Sequence, residues 1–95
     1  MTLEPVARSY RAAFLRYLPR RDEAALHSAY ELGRAAVGDG VSLLELVRIH
    51  HDVLASVLRD TPGADVPQVA TAASEFLLEV LAPYDMTQRS LPHLG

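Results

Sequence analysis

The chain contains no cysteine. That absence removes structural disulfides, thiolate zinc sites, iron–sulfur clusters and cysteine nucleophiles together. Lysine is missing too: all nine basic residues are arginine, a bias we attribute to base composition and not to mechanism. Uninterrupted apolar stretches run to only a few residues, as in Phe76-Leu77-Leu78 before Glu79, so no segment can span a bilayer. Glu4 and Pro5 stand where a secretory signal would need a basic stretch followed by an apolar run. The sequence therefore reads as cytoplasmic, with no membrane partner.

Constellations that carry chemistry are lacking as well. None of Glu4, Glu23, Glu31, Glu45, Glu75 or Glu79 has histidine three residues later, and His-Glu-x-x-His does not occur, so the di-metal sites of helical bundles find no ligand set. The six serines (Ser9, Ser28, Ser42, Ser56, Ser74, Ser90) include no Gly-x-Ser-x-Gly elbow, and no glycine-rich phosphate loop precedes a helix. No catalytic residue, metal or cofactor is expected.

What is present is a globular composition, 49% apolar and 22% charged over 95 residues, which bounds the chain to one domain, residues 1–95, with one core. The net charge of −3 hides an asymmetry: residues 1–21 carry five arginines against Glu4, and the remainder four arginines against eleven acids. A solvated helix face explains this. Nucleic-acid binding would call for a larger basic surface, usually with exposed aromatics, so no nucleic-acid partner is expected.

Periodicity and punctuation predict four helices at about 4–18, 22–37, 42–59 and 65–82, with a tail over 83–95. In the first, Pro5 suits the opening turn, Pro19 ends the helix, and Val6, Tyr10, Ala13, Phe14, Tyr17 and Leu18 fall at steps of three and four. Asp22 is the candidate cap of the second and Gly38-Asp39-Gly40 its stop. Gly33 sits on the apolar face with Leu26, Ala29, Tyr30 and Val37; an interior glycine costs about 1 kcal/mol against alanine, which points to close approach of another element.

The third helix opens on a capping-box pattern, Ser42-Leu43-Leu44-Glu45. Its core stripe of Leu43, Leu46, Val47, His50, Val53, Leu54 and Val57 is widened by Leu44, Ile49 and Leu58 beyond what one neighbour covers. Residues 60–64 read as a loop, Asp65 as the fourth cap, and Val66, Val69, Ala70, Ala73, Phe76, Leu77, Val80 and Leu81 as the last stripe before Pro83. Tyr84 to Arg89 can resume as a kinked turn, and Ser90-Leu91-Pro92 stops any continuation. The expected fold is all-α, an antiparallel four-helix bundle. Its surplus apolar surface points to a homodimer, with Leu44, Ile49, His50, Leu54, Leu58, Phe76 and Leu77 as candidate dimer or core positions.

The adjacent His50 and His51 invite a phosphotransfer reading. Consecutive helical residues point about 100° apart, so the two cannot share one task. Phosphotransfer domains follow their histidine with lysine and glycine at the third and fourth positions, where His50 is followed by Val53 and Leu54, and His51 by Leu54 and Ala55. Kinase dimerisation helices fit His51-Asp52 but not Ser56, where they often carry proline. The plainer expectation for His50 is a buried or interfacial histidine held by a hydrogen bond.

Three stretches taken together, Tyr30-Glu31-Leu32-Gly33-Arg34, then Gly40-Val41-Ser42-Leu43-Leu44 with His50, then Glu75-Phe76-Leu77-Leu78-Glu79 running into Pro83-Tyr84-Asp85-Met86, resemble the N-terminal domain of the RsbU phosphatase family over roughly residues 5–89. The resemblance implies a dimerising helical bundle, similar to a domain of the clock protein KaiA. It implies binding of an RsbT-like switch protein, which in that family turns on a phosphatase domain further along the chain and feeds bacterial stress control of sigma factors. The chain ends at Gly95 without a phosphatase domain, so it reads as a stand-alone regulator or as the sensory half of a longer protein, and the Ser90-Leu91-Pro92 break argues against a continuous helix into an output. On this resemblance the candidate partner-binding residues are Glu31, Arg34, Tyr84, Asp85 and Met86. The alternatives are phosphotransfer through His50 or His51 and a purely structural dimerisation module.

Overall fold

A computed structural model of the chain describes residues 3–90. Four helices make up the fold: α1 (Glu4–Arg20), α2 (Glu23–Gly38), α3 (Leu43–Arg59) and α4 (Val66–Ser90). A 3-10 turn, Gly63–Asp65, leads directly into α4. No strand occurs among the described residues, and the fold is an all-α four-helix bundle.

The helix starts follow the local chemistry. The Asp22 side chain accepts from the Ala25 N–H at 2.9 Å. At α3 the capping box is complete, with Ser42 Oγ accepting from Glu45 N–H at 3.1 Å and Glu45 Oε1 accepting from Ser42 N–H at 2.9 Å. The α2 stop works through Gly40, whose φ of +75° lets the chain reverse so that Val41 N–H reaches the Ala36 carbonyl at 3.0 Å.

Two proline expectations need correction. Pro19 lies inside α1, which closes one residue later as Arg21 adopts a left-handed φ of 51° and returns its N–H to Tyr17. Pro83 does not end α4, which continues to Ser90. Proline removes one intrahelical donor, but here its ring is buried and the helix beyond it is tied down: Tyr84 Oη donates to the Val41 carbonyl at 2.8 Å and Thr87 Oγ1 to the Pro83 carbonyl at 2.9 Å. Residues 83–90 are therefore helix and not tail. The rest of the expected tail, 91–95, lies outside the described residues, and with it most of the Ser90-Leu91-Pro92 break.

Helices α2 and α3 each pack on both α1 and α4 but not on each other. The short Asp39–Ser42 connection therefore carries the chain from one side of the α1/α4 pair to the other. α1 and α2 form an antiparallel hairpin, which two grooves follow: one lined by Arg20 and Ala24 near the corner, the other by Val6 and Ala36 towards the open end. α3 runs alongside α1 in the same sense, from Glu4 beside Leu44 to Arg11 beside Ser56. Tyr84, late in α4, reaches Val41 just before α3 begins, so α4 returns along α3 and successive helices reverse direction, as an up-down bundle requires.

An aromatic cluster fills the centre. Tyr10, Phe14, Tyr17 and Phe76 are all buried, and the Phe76 ring centroid lies 5.2, 5.4 and 5.8 Å from those of Tyr10, Phe14 and Tyr17. The contacts with Tyr10 and Phe14 are edge-on, the arrangement that the ring quadrupoles favour. Gly33 marks where α2 crosses α4: a Cβ built there would fall 1.9 Å from the Val80 carbonyl oxygen. Close approach to another element, expected from the glycine, is thus backbone against backbone.

Candidate interaction surfaces

Two polar clusters join the helices, one inside the bundle and one at its edge. Tyr10 is completely buried, and its hydroxyl lies 2.6 Å from Nδ1 of His50. Burial pushes the Tyr10 hydroxyl up from its ordinary value, and burial, with His51 next to it, pushes the His50 imidazole down. In the neutral tautomer that carries its proton on Nε2, Nδ1 accepts a hydrogen bond from the Tyr10 hydroxyl, which satisfies the buried phenol. His50 thus joins α3 to α1 through this hydrogen bond.

The second group ties the α1–α2 corner to α4. Tyr17 Oη donates to Glu75 Oε1 at 2.9 Å, and Arg21 pairs with the same oxygen. The Arg21 guanidinium also lies 5.5 Å from the Tyr17 ring centroid. The hydrogen bonds from Tyr17 and Arg21 pull the Glu75 carboxyl below its ordinary range. With both ionic partners well exposed, the pair is a modest latch.

The outer surface shows two apolar concentrations. On α2 and α4, Leu78 is 70% exposed and Met86 52% exposed. Tyr30 bridges these helices by placing its hydroxyl 3.5 Å from the Met86 sulfur, and His27 stacks on Tyr30 with near-parallel rings 6.4 Å apart. Beside them, Glu31 forms an ion pair with Arg34 at 3.5 Å and lies 3.6 Å from His27 Nε2. His27, Tyr30, Glu31 and Arg34, at helical steps, share the outward face of α2. Glu31, Arg34, Met86 and exposed Asp85 thus occupy the α2 and α4 exterior, whereas Tyr84 is spent on Val41 inside the bundle. Glu31 also lines the open groove between α1 and α2 with Val6 and Leu32.

The other concentration is on α3. Leu44 is 81% exposed, and Leu43 and Val47 are also exposed. Of the remaining dimer-or-core candidates, Ile49 and Phe76 are core, while Leu54, Leu58 and Leu77 are half-buried. Two contributors escaped the sequence reasoning. Leu78 stands outside the inward stripe of α4, about 100° round from Leu77, and a single outward leucine carries no signal of a partner. His27 had no signal beyond its place one turn before Glu31.

Among the described residues no group of three metal-binding side chains gathers, and no helix is long and apolar enough to cross a membrane. No curated protein and no solved structure matches the chain. The family model described as "Phosphoserine phosphatase RsbU, N-terminal domain" matches residues 8–87. That span takes in the Tyr10–His50 pair, the Gly33 crossing and both exterior patches, and the chain belongs to the family of RsbU N-terminal domains.

Proposed function

We propose that this domain is a non-catalytic regulator of a bacterial stress and sigma-factor partner-switching pathway, which binds an RsbT-like switch protein and forms a homodimer. Family membership supports a regulatory rather than a phosphatase role. The observation that carries the binding reading is the exposed Met86 of α4 set against Tyr30 of α2, with the charged Glu31–Arg34 pair next along the same α2 face. An apolar centre with a polar rim is the anatomy of a transient protein interface. We assign this α2/α4 exterior to the switch protein and the α3 exterior to self-association, so that dimerisation leaves the partner face open.

Titration calorimetry against an RsbT-like protein tests the assignment. Met86→Glu and Arg34→Glu weaken binding tenfold or more without altering the helical content. An RsbT-like protein that fails to bind the unaltered domain overturns the partner reading, and equal affinity of both variants overturns the face.

A further inference from the structure

We infer that the outward face of α1 is a docking ridge for an acidic amphipathic helix of a partner protein, with Leu15 at its centre and Arg11 and Arg16 gripping carboxylates on either side. The face is separate from the α2/α4 exterior assigned above to the switch protein. Ala12, Leu15 and Pro19 follow one another at steps of three and four, the spacing by which one helix lays a straight seam against another. All three are exposed. Arg11 stands immediately before this ridge and Arg16 immediately after Leu15, the positions that flank a helical seam and choose its partner by charge. The fold sets them on opposite sides: Arg8 and Arg11 line a groove with Asp52 and Val53 of α3, and Arg16 and Arg20 a groove with Ala24 and Ser28 of α2.

A solvated face accounts for five arginines in the sequence but not for their isolation in the fold. No acid occurs between Glu4 and Asp22. Glu4, Asp52 and Glu31 share the flanking grooves, yet among the described residues Arg21 pairs with Glu75, and Glu31 with Arg34 and His27, while Arg8, Arg11, Arg16 and Arg20 pair with no carboxylate. Eleven acids lie beyond residue 21, and the fold spends none of them on these four. Like charges one turn apart, as in Arg8 with Arg11 and Arg16 with Arg20, also oppose the helix. An acidic occupant relieves that repulsion, and guanidinium groups match carboxylates with paired hydrogen bonds.

Other occupants fit less well. A second copy would set arginine against arginine across the ridge, which like-charge repulsion disfavours. The aromatics of α1, Tyr10, Phe14 and Tyr17, are all buried, so nucleic-acid bases have nothing to stack on. Of the large apolar residues of α1 only Leu15 is exposed, too little to anchor the helix in a lipid surface. The ridge is about 25 Å long and one helix wide, so the contact is weak, carried by charge and sensitive to salt.

The test titrates the isotope-labelled domain with a synthetic helical peptide that carries a leucine stripe flanked by glutamates, and with the same peptide bearing glutamine for glutamate. Amide shifts locate the contact, calorimetry gives the affinity at low and high salt, and circular dichroism confirms the fold of each variant. The expected result is binding of the glutamate peptide with shifts centred on α1, weakened tenfold or more by high salt and by Arg11→Gln with Arg16→Gln, weakened threefold or more by Leu15→Ala, and unchanged by Arg34→Gln on α2. Absence of binding overturns the inference. Equal binding of the glutamine peptide overturns the role of charge, and shifts centred on another helix overturn the face. Phosphatidylserine vesicles or a single-stranded oligonucleotide that bind more tightly than the glutamate peptide at the same salt overturn the acidic protein helix as occupant.

Discussion

Replacing Gly33 by alanine adds one methyl group where the backbones of α2 and α4 touch. The new Cβ would lie 1.9 Å from the Val80 carbonyl oxygen, 2.8 Å from its carbon and 3.1 Å from its Cα. All three are backbone atoms, so no rotamer change relieves the clash. The helices must separate by more than an ångström, and a gap of that size forfeits a quarter to a half of the dispersion energy across the contact. Overpacking of this kind costs about 1–3 kcal/mol, and a backbone obstacle belongs at the upper end. Alanine's helix propensity returns about 1 kcal/mol. The net expectation is a loss of about 2 kcal/mol, which for a domain of this size lowers Tm by roughly 10 °C. Urea unfolding followed by circular dichroism at 222 nm measures it. Gly38→Ala in the same helix is the control, because a Cβ there meets nothing within 4 Å and its stability should stay level or rise slightly. A Gly33→Ala domain as stable as the wild type would refute the crossing geometry.

Three further outcomes follow from the side-chain geometry. Ser42→Ala removes the acceptor for Glu45 N–H and should cost about 1 kcal/mol in urea unfolding; an unchanged midpoint would mean that the capping box contributes nothing. Tyr84→Phe strips the donor from the Val41 carbonyl and should cost about 1 kcal/mol while leaving RsbT-like partner affinity unchanged; the opposite result, lost affinity at full stability, would return Tyr84 to the partner face. Acid should destabilise the domain: the folded state holds the His50 imidazole below its ordinary 6.5, so at pH values between that depressed value and 6.5 the unfolded chain binds more protons and stability rises with pH. Glu45 and Glu75 are also held below their ordinary values and act in the same direction at lower pH, their contribution being lost as pH falls through the folded values. His50→Gln should flatten the upper part of this profile, and a variant whose midpoint still climbs as steeply between pH 5 and 6.5 would place the titrating group elsewhere.

Local features of the fold were legible because their causes are local. The Ser42 and Glu45 pair, the Asp22 cap and the Gly40 reversal act within five residues of chain, and each residue does what its position suggests. Gly33 was legible in a different way: a glycine on an apolar helical face has no local use, so its presence pointed to a neighbour. Helix pairing was not legible. The four-residue connection Asp39–Ser42 looks like the turn of a hairpin, yet α2 and α3 stand on opposite sides of the α1/α4 pair. That arrangement is chosen by the whole core, in which Phe76 must meet Tyr10, Phe14 and Tyr17 together. Pro83 fails as a stop for the same reason. Its cost, about 3 kcal/mol in an exposed helix, is offset by a buried ring and by the Tyr84 bond to a residue 43 positions earlier.

The candidate surfaces were half legible, and the division has a physical basis. Periodicity reports that a helix face is apolar but not which neighbour covers it. The wide arc of α3 signalled more apolar surface than one partner buries. Only the packing separates it into Leu46, Ile49 and Val53, which face the core, and Leu44 and Val47, which do not. His50 and His51 show the same division one residue apart. At consecutive positions, one imidazole is drawn in by a buried phenol and the other is left on the exterior. The pair thus splits between the bundle interior and its exterior, as consecutive helical positions about 100° apart require.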